Sequence, residues 1–399
     1  MTRNTADVSG VYAGVDTHKH THHVAVIDSL GRQLGDQEFP ATSAGYVALL
    51  KFVLDFGPII RAGIEGTASY GAGLTAYFRT QSVMVREVIR PSRQERRHGK
   101  SDPIDAYAAA RAVAARDDLP IPKLLGGRID GVRALLRVRR SAVKAYGTAM
   151  RQVKSLLITA DPSLREKYEP LKDADLVEKL ARLHPKINEP QKMALRRLAK
   201  RIKHLEEEIT LADAELAYMV DDIAPALVRA KHLGPVTAAQ LLVTAGENPE
   251  RIRSKAAFAA LCGVSPIPAS SGKTTRHRLN RGGDRQANSA LHTICLVRMS
   301  CDPRTRVYVE KKRAEGRSTA EIMRCLKRYI SNEVFTLITN PPEVPNIEDL
   351  RPLRQQRNLT LKAVAEHLGT TEIKVSQIER ADRRDDEFAK TYREYLLAA

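Results

Sequence analysis

A chain of 399 residues is long for a single hydrophobic core and predicts about two to four domains. Apolar residues make up 43%, which argues against wholesale disorder, and 65 Lys+Arg against 47 Asp+Glu give a net charge of +18 that calls for a polyanionic partner, nucleic acid before a membrane surface. The sequence has no apolar run of transmembrane length, its start MTRNTADVSG has no signal-peptide core, and Cys262, Cys295, Cys301 and Cys325 lack CxxC spacing, so a cytoplasmic protein without a zinc site or disulfide frame is expected. In chain order, VYAGVD and HVAVID within residues 11–30 read as two short strands joined by a tight, His-rich turn. After a polar stretch with Gly31 and Gly35, AGYVALLKFVLDF reads as helix, IIRAGIE as strand, GAGLTAYFRTQ as helix and VMVREVI as strand. This alternation predicts an α/β domain over residues 1–125, with a mixed sheet because its first two strands are joined directly.

Past Arg128 the strand signal fades. Residues 130–160 read as one long basic helix, and in 192–220 Leu195, Leu198, Ile202, Leu205, Ile209, Ala212, Leu216 and Met219 recur three and four apart. That seam fits either an intramolecular hairpin with the 130–160 helix or an oligomerising coiled coil, placing a helical region over 126–225. A mainly α domain follows over 226–338. In it, KHLGPVTAAQLLVTAG and SKAAFAALCGVSP suggest paired helices, and LGPVTA is similar to the turn of helix-hairpin-helix modules, whose amides hold a backbone phosphate. Residues 267–286, IPASSGKTTRHRLNRGGDRQ, form a basic Gly/Ser-rich loop with Lys273, Arg276, Arg278 and Arg281 as candidate phosphate contacts. The Pro-rich segment 339–352 reads as a linker. Residues 353–399 resemble Cro/repressor-type helix-turn-helix modules through the spacing LR..R.LT...VA..LG.....VS..E. Their third helix, Thr371 to Arg380, would read duplex DNA, with Lys374 and Gln377 as candidate contacts, and a plain three-helix bundle is the alternative.

Chemistry points first to four carboxylates. Asp16 closes a strand, Glu65 closes another, and Asp102 and Asp105 lie three apart at a helix start where Pro103 costs little. Spacing of three puts both aspartates on one helical face, a repulsive pairing that a cation relieves. N-terminal capping explains one of them, and a turn aspartate or solvated turn glutamate explains Asp16 or Glu65 singly. Together, in a strongly basic chain, the set suggests Mg2+ (or Mn2+) and phosphoryl transfer on nucleic acid. His18, His20, His22 and His23 crowd the turn after Asp16; alternate strand residues face opposite ways, so a surface hairpin is expected rather than a zinc site. Ser270 and Ser271 precede Gly272 among cations, which supports either a nucleophile or a solvated phosphate-contacting loop.

The motifs GVDTHKHTHHVAVID, IEGTASYGAGL and VIRPSRQERRHGKSDPIDAYAAARAVA resemble the ribonuclease H/RuvC-like domain of the DEDD insertion-sequence transposases related to the Piv invertase. HLGPVTAAQLLVTAG and FAALCGVSPIPASSGKTTRHRLNRGGDRQANSALH are similar to that family's C-terminal domain, so the resemblance covers about residues 10–340. It implies that Asp16, Glu65, Asp102 and Asp105 are the DEDD metal ligands and that Ser271, directly before the glycine, is the nucleophile, with Ser270 adjacent. It further implies a metal-dependent DNA recombinase of a bacterial element, nucleoid-associated. Such an enzyme joins strands through a serine–DNA intermediate, is guided to donor and target DNA by a structured noncoding bridge RNA, and assembles from dimers to tetramers. The composite site would set the carboxylates of one subunit against the serine of another. The helix-turn-helix module and the His-rich turn depart from the family pattern. A RuvC-like junction-resolving nuclease, which needs no serine, and a non-catalytic DNA-binding regulator are the rival readings.

Overall fold

The computed structural model describes residues 10–88, 101–269, 277–342, 347–380 and 385–398. Two compact units divide the chain: Met1–Gly131 with Ala245–Arg253, and Val132–Thr244 with Ser254–Ala399.

The first unit is built on strands β1 (Val11–Thr17), β2 (Thr21–Ile27), β3 (Gln33–Pro40), β4 (Ile59–Glu65) and β5 (Val85–Val88). They form one mixed sheet in the order β3-β2-β1-β4-β5, antiparallel between β1 and β2 and parallel between β1 and β4. The polar stretch with Gly35 proves to be β3, an edge strand. Most of its residues are exposed, so it carries no apolar alternation for the sequence to reveal. Helices α1 (Ser43–Leu54) and α2 (Ala72–Thr80) cover one face of the sheet, where Leu49, Val53, Leu74 and Phe78 meet Val11, Ala13, Val15, Ala62 and Ile64.

Strand alternation sends Gly14, Asp16, Gly63 and Glu65 to the opposite face, under α3 (Asp102–Ala115). A Cβ at Gly14 would lie 2.1 Å from the Ala106 carbonyl oxygen and from the Ala110 nitrogen, and one at Gly63 would lie 2.8 Å from the Ala109 carbonyl oxygen. Glycine in the strands and alanine in the helix therefore let the two backbones touch. Ser101 is the N-cap of α3 and Pro103 sits in its first turn, so neither Asp102 nor Asp105 serves as the capping residue.

The second unit is helical. It contains most of α4 (Arg128–Ile158), then α5 (Pro162–Tyr168), α6 (Asp173–Ala181), α7 (Pro190–Ile223), α8 (Pro225–Arg229) and α9 (Pro235–Ala245). Leu195, Ala199 and Ile202 of α7 pack with Met150 and Val153 of α4 and Leu176 and Leu180 of α6, and Arg139 pairs with Asp213 farther along. The same chain covers this seam, which is the hairpin alternative. Next come α10 (Lys255–Leu261), the short strands β6 (Ile267–Pro268) and β7 (His277–Arg278), which pair antiparallel, and α11 (Arg285–Cys301), α12 (Pro303–Ala314) and α13 (Thr319–Thr339).

At the C-terminus α14 (Leu350–Gln356), α15 (Leu361–His367), α16 (Glu372–Glu379) and α17 (Asp386–Ala398) surround a core of Leu350, Val364, Val375, Ile378 and Tyr392. Arg354 Nε donates to Glu379 Oε1 at 2.6 Å and the Tyr392 hydroxyl donates to the same oxygen at 2.7 Å, so the Arg and Glu that mark the ends of the sequence pattern are one inward-facing pair. No helix among the described residues is long and apolar enough to cross a membrane.

Because the atoms facing Gly14 are backbone and cannot swing away, Gly14→Ala is expected to cost about 3 kcal/mol, the upper end of overpacking penalties, in denaturant unfolding followed by circular dichroism. An unchanged unfolding midpoint would show that α3 does not press on the sheet.

Candidate metal centre

Asp16 is the next-to-last residue of β1 and Glu65 the last of β4. The parallel register pairs Val15 with Ile64, so these two acids stand side by side one position on, and the Thr17 hydroxyl ties the strand ends together by donating to the Glu65 carbonyl at 2.9 Å. Both acids are buried beneath α3, whose first turn supplies Asp102 and Asp105.

The side chains that converge most tightly are Asp16, His18 and Asp102, whose ligand atoms all lie within 4.8 Å of one another. His18 Nε2 is 3.2 Å from Asp16 Oδ2 and 3.4 Å from Asp102 Oδ1. Asp102 and His18 are each about two-fifths exposed, which leaves the cluster open to a ligand from solvent. Glu65 and Asp105 flank this group without joining it. Asp105 is buried, and its Oδ2 has no hydrogen-bond partner among the described residues. A buried carboxylate oxygen of that kind is costly unless a cation compensates it. The donor set therefore fits a divalent cation: carboxylates suit Mg2+ and Mn2+, and the imidazole of His18 adds a ligand more congenial to transition metals.

The turn histidines do not form a surface cluster. Only His20 is exposed. His23, opposite Asp16 on β2, lies 2.7 Å from Asp36, which also accepts from the Tyr107 hydroxyl of α3 at 3.1 Å. His22 is fully buried and stacks on Tyr46 with ring centroids 5.6 Å apart. Its two ring nitrogens have no hydrogen-bond partner among the described residues, and burial holds its pKa below the ordinary 6.5. The sequence places His18 with a surface hairpin rather than with the carboxylates, whereas the structure sets it beside Asp16 and Asp102. Its signal was its position two residues after Asp16, which returns the side chain toward the strand end.

In the second unit, Ser270, Ser271, Lys273 and Arg276 lie outside the described residues. On either side the chain is well anchored. The Asn288 amide donates to the Gly263 carbonyl at 2.9 Å, and Asp284 caps α11 while accepting from Thr244 at 2.7 Å and from Gln240 at 3.4 Å. Gln240 is itself held by Arg140. Burial, with Asp284 nearby, pushes the Cys262 thiol up to about 12, so it is an inert packing group. Arg278 and Arg281 are exposed. On α16, Lys374 is engaged with Asp385 at 3.0 Å and lies 4.4 Å from the centre of the Phe388 ring, and Gln377 is half-buried, so the described surface of that helix is led by Thr371, Glu372 and Ile373.

Residues 13–162 match a family model described as a transposase of the DEDD type, and residues 225–310 match one described as a transposase of the IS116/IS110/IS902 family. Two matches of this kind, one on the carboxylate domain and one on the helical domain, define a transposase. The chain belongs with the IS110/IS116/IS902 family of insertion-element transposases. It is 24% identical to the insertion element IS900 uncharacterized 42 kDa protein of Mycobacterium paratuberculosis over 82% of this chain and 95% of that one. It is 27% identical to the insertion element IS110 uncharacterized 43.6 kDa protein of Streptomyces coelicolor, where the match spans 35% of each chain.

Removing an imidazole ligand should weaken Mn2+ binding by about tenfold while changing Mg2+ binding much less. Titration of His18→Ala with Mn2+, followed by electron paramagnetic resonance, checks this; equal losses for both ions would remove His18 from the ligand set. For His22 the folded pKa lies below the unfolded one, so its contribution to stability is complete above pH 6.5 and is lost as pH falls from there toward the folded value. His22→Phe, which keeps the ring on Tyr46, should flatten that decline in denaturant midpoints measured across the same pH range.

Proposed function

We propose that this transposase is a divalent-metal-dependent DNA recombinase that cuts and rejoins strands of its own insertion element through a covalent serine–DNA ester. The convergence of Asp16, His18 and Asp102, flanked by Glu65 and Asp105 under one helix, is the observation that carries the reading. A divalent cation held there would supply positive charge to the phosphate being cut. Asp16, His18 and Asp102 would hold it, the buried Glu65 and Asp105 would add negative charge nearby, and the His23–Asp36–Tyr107 chain steadies β2 beside Asp16. In the chemical step the Ser271 hydroxyl oxygen forms a bond to phosphorus as the strand's own P–O ester bond breaks. The serine proton leaves as the departing strand oxygen gains one, so each phosphodiester is exchanged for another and rejoining needs no external energy source. Attack by a second strand's hydroxyl then reverses the exchange.

The partners in this reading are donor and target DNA, selected with a structured noncoding RNA, and further copies of the chain, two to four in the assembled complex. The support for the RNA guide and the assembly is family resemblance. The support for a polyanion is the net charge of +18. The C-terminal helices α14–α17 serve duplex binding in the same reading. A junction-resolving nuclease stays the alternative because every carboxylate of the centre belongs to the first unit.

The deciding experiment uses element-end DNA and the full chain with Mg2+. Ser271→Ala is expected to abolish both the denaturant-resistant protein–DNA adduct and rejoined product, and Asp102→Asn is expected to slow cleavage by about a hundredfold or more with DNA affinity nearly unchanged, since Lys and Arg make the phosphate contacts. Unimpaired cleavage by Ser271→Ala, with no adduct in the parent protein, would give the nuclease reading. Full recombination by Asp102→Asn would remove the metal centre from the chemistry.

A further inference from the structure

Helices α12 and α13 and the strand β7 enclose a cavity of about 980 Å³ in the second unit. Its size is at the upper end for sites that enclose a small organic molecule, ample for one nucleotide. The wall carries five cations, Arg278, Lys312, Arg317, Arg324 and Arg328, against one acid, Glu321. Glu321 serves the capping box of α13, where one carboxylate oxygen accepts from the Ser318 amide at 3.0 Å, and its other oxygen lies 3.7 Å from the Arg317 guanidinium. Lys312 pairs with Glu315 at 2.6 Å, and Arg328 donates to the Ser265 hydroxyl at 3.3 Å. Arg278 and Arg324 are exposed and make no ion pair among the described residues. Two exposed cations kept at one concave site without an ion pair among the described residues are the chemistry of a phosphate subsite.

Two tyrosines make the site more specific than a basic patch. Tyr329 of α13 is 60% exposed, and its ring meets that of Tyr308 of α12 edge-on, at 88° and 6.0 Å between centroids. Tyr308 is thereby the support and Tyr329 the presented ring. Burial raises the Tyr308 hydroxyl to about 12, so it brings no negative charge near a phosphate at neutral pH. A large exposed aromatic ring is poorly used in water, and every nucleobase has a flat face that stacks on one. Bases of an intact duplex are stacked on each other and cannot reach a ring set in a concavity, so the occupant must be unpaired.

We propose that this cavity holds an unstacked nucleotide of the DNA strand being cut, its base on Tyr329 and its backbone phosphates on Arg278 and Arg324. DNA rather than RNA follows from place: Arg278 lies on β7, which begins six residues after Ser271 in the chain. The inference rests on the recombinase reading for that step alone. It deepens the reading by assigning the strand beside the cut to residues outside both family motifs' acids and serine.

The test is binding of a fluorescent single-stranded DNA, the same sequence as RNA, and a blunt duplex to the full chain, by anisotropy over a range of salt. Tyr329→Ala is expected to weaken the single strand by roughly tenfold, with the salt slope and the duplex affinity unchanged, and Tyr329→Phe is expected to bind like the parent. Arg324→Gln should weaken it and lower the salt slope by about 0.7, as loss of one single-strand phosphate contact requires. Tyr329 is exposed, so circular dichroism of both variants should match the parent. Unchanged single-strand affinity in Tyr329→Ala, an equal loss on the duplex, or a loss seen with RNA alone overturns the proposal and leaves the recombinase reading standing. A parent protein that binds none of the three would overturn both.

Discussion

The backbone of α3 lies against the sheet at Gly14 and Gly63, and the rest of the candidate metal centre follows from that contact. A side chain of any size at Gly14 would meet the Ala106 carbonyl and the Ala110 nitrogen at 2.1 Å, closer than nonbonded atoms approach. With glycine there, the first turn of α3 comes down beside the ends of β1 and β4, where Asp16 and Glu65 already point to the same face. Acidic groups that would repel one another are thus collected at one end of the sheet. The free energy that holds them there comes from the other face, where large side chains such as Leu49, Leu74 and Phe78 are fully buried, each contributing about 1.5–3 kcal/mol. The α3 side adds a smaller core of Ala25, Ile27, Ala106 and Ala110 beside the candidate site.

The second unit answers a different demand. Its segment between Gly263 and Asp284 carries Ser271 and a run of cations, and the structure spends buried polar groups on fixing the ends of that segment. Asp284 is used three times, as the cap of α11 and as the acceptor of Thr244 and Gln240, and such shared acceptors hold a geometry more firmly than single bonds do. The same economy appears at the C-terminus, where Glu379 accepts from both Arg354 and Tyr392. Breaking one partner of such an inward-facing pair leaves the other charge uncompensated, so these positions are constrained by desolvation as well as by shape.

Most of the first unit was legible in the chain because buried strands announce themselves. VYAGVD, HVAVID and IIRAGIE became β1, β2 and β4 almost residue for residue, since each is apolar on the face toward α1 and α2. Strand β3 was not legible, as an exposed edge needs no apolar pattern. The heptad seam of α7 was visible, yet periodicity states only that a stripe is buried, not what covers it. The packing of Leu195 and Ile202 on α4 and α6 decided that. Lys374 read as a DNA contact from its place on the helix; the Asp385 carboxylate at 3.0 Å and the Phe388 ring 4.4 Å from its ammonium come from elsewhere in the fold.

Sequence alone determined the kinds of group present: four carboxylates in order, a serine before glycine among cations, and a basic excess of +18 that favours a polyanionic partner. Those depend on residue identity and local spacing, which the chain carries explicitly. Tertiary structure decided which groups meet. Only the close passage of α3 over Gly14 shows that His18 lies between Asp16 and Asp102, and only the crossing of α12 and α13 shows that Tyr308 props Tyr329 over a basic cavity. Such meetings join positions tens of residues apart, and their distances are set by backbone packing, for which a linear pattern has no signal.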